Sequence, residues 1–91
     1  MKVCIYCDQS LKKQIANNLL VEYTFANSSK QTGYHDYTLY VISKNAKKLP
    51  HIENRDNVII CDLSSAFVTD LQEQFKVFTS IDTAINFLNN H

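Results

Sequence analysis

Cys4-Ile5-Tyr6-Cys7 is a C-x-x-C, the spacing of a dithiol redox centre or of half a zinc site. Redox pairs of this spacing open a helix after a strand, whereas here both cysteines fall inside one apolar run, on opposite faces if the alternation is regular. Neither a second C-x-x-C nor a histidine pair stands where zinc would need its other ligands, so no metal is expected. Cys61 lies in another strand-like run. Three cysteines in apolar settings read as reduced core thiols, with the cytoplasm as the expected compartment.

Asp8 and Asp62 each close an apolar run. Two carboxylates meeting over one edge of a sheet could bind a cation or do acid-base work; the competing reading makes each a helix cap or loop residue. Ser10 has no identifiable histidine partner, which argues against hydrolase chemistry. Lys44, Lys47 and Lys48, with Arg55 further on, form the basic concentration of the chain and follow Ser43 at the end of a third strand-like run. They could hold a small anion or an acidic partner, or make a solvated face. Tyr34, Tyr37 and Tyr40 cluster with His35 and Asp36, which suits a partner anchor or a strand with its hydroxyls at the rim. His35, His51 and His91 are scattered, and no role is assigned to them.

The elements that must position these residues follow from periodicity. Val3 to Cys7 is a continuous apolar run, the pattern of a strand covered on both faces. Asp8 or Ser10 can then cap a helix whose Leu11, Ile15 and Leu19 recur at i, i+4 and i+8, with Ala16 and Leu20 beside them. Val21 to Ala26 alternates as a half-buried strand, and Asn27 to Tyr34 reads as a loop or a short helical turn. Asp36 to Ser43, which contains the β-branched and aromatic run from Tyr37 to Ile42, is a third strand, and Lys44 to Leu49 leaves room for a turn or two of helix before Pro50. His51 to Asn57 is irregular. Val58 to Cys61 is a fourth strand. Ser64 or Ser65 caps a helix that turns Ala66, Phe67, Val68 and Leu71 inward and finishes near Gln74. After a short strand over Phe75 to Thr79, Ser80 caps a last helix with Ile81, Ala84, Ile85 and Leu88 on its dry face.

Strands alternating with helices predict an α/β three-layer sandwich: about five parallel strands, right-handed crossovers and helices on both faces. Ninety-one residues supply one core, so residues 1–91 read as one domain. One Gly and one Pro exclude the Gly-rich phosphate loops and imply short connections. Zero formal charge and a pI near 6.8 argue against nucleic acid as a partner, and the apolar runs are too short for a membrane span. A protein partner is expected, and self-association through an exposed helix or edge strand is left open.

Lys2-Val3-Cys4-Ile5-Tyr6-Cys7-Asp8-Gln9-Ser10 with the helix after it resembles the opening of bacterial response-regulator receiver domains, and Val58 through Leu88 is similar to their last two strand-helix units. The resemblance implies a flavodoxin-like sheet of order 2-1-3-4-5, a functional surface at the carboxyl ends of the strands, and second and third helices that are short here. It does not carry the receiver's chemistry. Where a receiver has an acidic pair this chain has Cys7-Asp8, and where it has the phosphoacceptor Asp the third strand ends Val41-Ile42-Ser43. The fourth strand ends Cys61-Asp62, and Lys76 lies inside the fifth rather than at its end.

With Cys7 closing the first strand, the chain is also similar to the IIB subunits of the cellobiose and lactose sugar phosphotransferase system, which carry phosphate on such a cysteine. Those subunits follow the cysteine with glycine and small hydroxyl residues; here Asp8 follows, and a carboxylate raises a thiol's pKa and repels phosphate. The sequence therefore predicts a non-catalytic regulatory or protein-interaction module without a cofactor. Its alternatives are a phosphate carrier using Cys7 and an anion or metal binder using Asp8, Asp62 and the lysines.

Overall fold

Five runs rich in β-branched, aromatic and aliphatic residues pair side by side in one parallel sheet. The computed structural model describes residues 1–26, 35–49, 51–52 and 57–90. Strands β1 (Lys2–Tyr6), β2 (Glu22–Phe25), β3 (Tyr37–Ile42), β4 (Val58–Asp62) and β5 (Lys76–Phe78) lie in the order β2-β1-β3-β4-β5. Every pairing is parallel, with Val3 beside Tyr23 on one flank and Tyr37 on the other, Ile42 beside Asp62, and Cys61 beside Phe78. The predicted sheet and strand order are both present. Among the described residues the helices are α1 (Lys12–Asn18), α2 (Val68–Leu71) and α3 (Ile81–Asn89), and a single 3-10 turn over Gln9–Leu11 leads into α1.

Alternation along the strands divides the core in two. On the first face Val3, Ile5, Leu39, Ile59 and Cys61 meet Ile15 and Leu19 from the α1 side and Ile81, Ala84, Ile85 and Leu88 from α3. Tyr40, Ile42, Val58 and Ile60 form the second face and pack on Leu71 of α2. All five residues of β4 are buried, as expected of a strand with neighbours on each side and a layer on each face. Full burial of an Ile or Leu contributes about 1.5–3 kcal/mol, so the stretch from Val58 to Ile60 anchors both halves.

The helices depart from expectation where tertiary contacts outweigh local pattern. Neither Asp8 nor Leu11 caps through a side chain, so the first helix starts without the predicted cap. It also ends earlier. The Asn89 amide accepts from the Leu20 N–H at 2.8 Å and donates to the Asn18 carbonyl at 3.0 Å, fixing the chain in an extended exit that leaves Leu20 83% exposed. Asn89→Ala removes both bonds at a helix end where the backbone groups have no intrahelical partner. Its expected cost is about 1–2 kcal/mol, read as a lower urea midpoint with an unchanged slope.

Lys44 to Leu49 forms turns and bends rather than the predicted helix, since Ala46 and Leu49 alone give it no apolar stripe to bury. The fourth crossover shortens to the four residues of α2, and Ala66 is exposed rather than inward. Ser80 does cap α3, accepting from the Thr83 N–H at 3.3 Å. The expectations for Asn27 to Tyr34, Pro50, Arg55 and His91 lie outside the described residues.

Candidate functional site

The parallel sheet delivers Cys7, Asp8, Ser43 and Asp62 to its carboxyl edge, where open α/β sheets bind their ligands. Cys7 lies just beyond β1 rather than within it, half-buried against the first-face core. Cys4, between Val3 and Ile5, turns to the second face, and neither forms a disulfide with the other or with Cys61. Burial pushes the Cys7 thiol up; Lys12 draws it back down, and Asp8 adds to the rise. Lys12 was not anticipated at this site. The 3-10 turn folds its side chain back towards β1 and β2, with Nζ 5.4 Å from the centre of the Phe25 ring, and only the five-residue separation from Cys7 could have signalled it.

Asp8 is exposed, and its backbone carbonyl accepts from the Leu11 N–H at 3.0 Å. Ser10 is exposed on the same turn. Ser43 follows β3, half-buried, and its carbonyl accepts from the Ala46 N–H at 3.1 Å to close the turn that carries Lys44, Lys47 and Lys48 into solvent.

Asp62 differs from all of these, because it is fully buried and its oxygens are taken up by its own loop. Oδ1 accepts from the Ser64 N–H at 3.1 Å and from the Ser64 hydroxyl at 2.5 Å, and Oδ2 accepts from the Phe67 N–H at 2.8 Å. The Ser64 hydroxyl in turn accepts from the Ala66 N–H at 3.1 Å. The entry to α2, predicted to be capped by Ser64 or Ser65, is thus organised from the end of β4, and Ser65 takes a left-handed φ of 59° to complete the loop. Asp62 faces the second face and its loop; Asp8 faces solvent at the end of β1, two strands away. With strands about 4.8 Å apart, the two chain positions are about 10 Å apart across the sheet.

Chemistry at this edge is correspondingly restricted. Among the described residues no group of three or more His, Cys, Asp or Glu side chains gathers as a metal site. Lys76, inside β5, is drawn away from the edge over the Phe87 and Phe78 rings, at 5.1 and 5.7 Å from their centres. Below the edge, on the second face, Tyr6 and Tyr40 stack with ring centres 4.5 Å apart and planes 3° from parallel. That stack follows from the register, which sets Tyr6 beside Tyr40. Two surface grooves formed by described residues lie elsewhere. One, about 360 Å³, is bounded by Met1, Asp36, Tyr37 and Asn57 at the amino ends of the strands. The other, about 470 Å³, runs between Leu49, His51 and Ile52 on one wall and Asp70, Leu71 and Phe75 on the other.

Comparison with protein-family models, curated proteins and solved structures gives no match to this chain. No helix of the described residues is long and apolar enough to cross a membrane.

Proposed function

We propose that the chain is a non-catalytic regulatory or interaction module of cytoplasmic signalling, a receiver-like sheet without a phosphoacceptor, whose partner is another protein. What carries this reading is the use of Asp62. The acidic residue that closes a central strand is buried and hydrogen-bonded into its own loop, so the edge retains the sheet's frame while its best-placed carboxylate serves folding. Ser43, at the end of β3, is no acceptor for an acyl phosphate, and Asp8 alone makes a poor site for a hard cation.

The rival reading, a cysteine phosphate carrier, draws support from the position of Cys7 at the end of β1 and from the charge of Lys12 beside it. Burial and Asp8 weigh against it, because the thiolate is the nucleophile and both disfavour it. Incubation with phosphoenolpyruvate and the general phosphotransfer proteins, followed by intact mass measurement, separates the two. The expected result is an unmodified chain. A phosphate adduct that disappears in Cys7→Ser would replace the proposal with the rival.

A further inference from the structure

We infer that Lys76 closes the sheet at β5: it stands in a row that is otherwise apolar, and its charge bars a further strand from pairing there. The inference is independent of the reading of the carboxyl edge. β5 pairs with β4 on one flank, and no strand of the described residues pairs with the other. Its neighbours β4, α2 and α3 all lie within the described residues 57–90. A strand open on one flank offers its N–H and C=O groups to any extended segment, the β5 of a second copy included.

The register shows where the lysine stands. Across the first face one row runs through Phe25, Ile5, Leu39, Ile59 and Lys76, one residue from each strand. Every other member is apolar, and Ile5, Leu39 and Ile59 are buried. A valine or threonine would suit the strand better than a lysine does. Lys76 stays exposed, and its side chain carries Nζ over the half-buried rings of Phe87 and Phe78, at 5.1 and 5.7 Å from their centres. Its stem thereby covers part of both rings while the ammonium keeps its water. A strand added beside β5 would set its own first-face side chain against Lys76 and take that ammonium out of water. An isolated buried charge outweighs the few hydrogen bonds that a three-residue strand can offer, each of them modest in net worth.

Sedimentation equilibrium over a concentration series, with amide hydrogen exchange to locate the contact, tests this on the wild type, Lys76→Val, Lys76→Thr, Lys76→Arg and Lys76→Glu. Valine and threonine remove the charge and favour a strand; arginine keeps the charge and the ring contact, and glutamate keeps a charge without the attraction to the rings. The expected result is that Lys76→Val self-associates about tenfold or more tightly than the wild type, with the amides of residues 76–78 gaining protection as concentration rises. Lys76→Thr should shift in the same direction and gives the reading if the valine variant precipitates. The arginine and glutamate variants should match the wild type. Valine and threonine variants that associate no more than the wild type overturn the inference. So does a glutamate variant that associates as the valine variant does, which would assign the effect to lost ring contacts, and so does association whose protection falls outside β5.

Discussion

Asp62→Ala should lower the stability of the chain by about 3–5 kcal/mol, a large part of what a domain of this size has. The side chain is fully buried and receives three hydrogen bonds, from Ser64 N–H, Ser64 hydroxyl and Phe67 N–H. Alanine leaves those donors without an acceptor beneath a loop whose backbone, with Ser65 at a left-handed φ, has little room to turn elsewhere. Each unsatisfied buried donor costs about 1–3 kcal/mol, and the part-exposed Ser64 groups recover some of that from water. Asp62→Asn should fall between, at about 1–3 kcal/mol: its oxygen can keep the Ser64 pair, but its amide nitrogen meets the Phe67 N–H donor to donor. Urea unfolding of the three proteins with equal slopes reads these values directly. A wild-type midpoint for Asp62→Ala would mean that the carboxylate is held for a ligand and not for the loop, and the proposed function would lose its main support.

Asp62 also shows where reading from the chain stops. The strands were legible because burial on two faces writes a continuous apolar run, as in Val58 to Cys61, and α3 was legible because Ile81, Ala84, Ile85 and Leu88 repeat at helical spacing behind a capping Ser80. Alternation of strands and helices made a parallel sheet legible, but no periodicity fixes the order in which its strands lie, β2-β1-β3-β4-β5. Hydrogen bonds that cross between elements leave no such period. Asn89 is one of several polar residues near the carboxyl end, and nothing in its neighbours announces that it stops α1 seventy residues upstream. The same holds for Lys12, which modifies Cys7 only because a 3-10 turn brings it back, and for Lys44 to Leu49, where helix-compatible residues lack the apolar stripe that would hold a helix to the sheet. The candidate edge was therefore identified by position, while the use of each residue on it depended on contacts that only the folded chain makes.

The alkaline limit of stability should be governed in large part by Cys61. This residue is fully buried in β4, and loss of water together with the adjacent Asp62 carboxylate pushes its thiol from an ordinary 9.0 up to about 12. An acid whose pKa is raised by folding keeps its proton longer in the folded chain than in the unfolded one. Above pH 9 the unfolded chain therefore binds fewer protons than the folded one, and each further pH unit withdraws about 1.4 kcal/mol until the folded thiol itself ionises near pH 12. The contribution is fully present below pH 9 and is lost as pH rises, to a total of about 4 kcal/mol across that window. Tyrosines, lysines and the other thiols titrate in the same range, so the comparison must be made against Cys61→Ala. That variant gives up packing at every pH, yet has no thiol to ionise at this position. Urea unfolding at pH 7 and pH 10 under reducing conditions should show wild type losing about 1 kcal/mol more than Cys61→Ala between the two. Equal losses would mean that water reaches Cys61 in the folded chain, and that the layer of α1 and α3 over the first face opens where Ile59 and Cys61 meet Ile81 and Ile85.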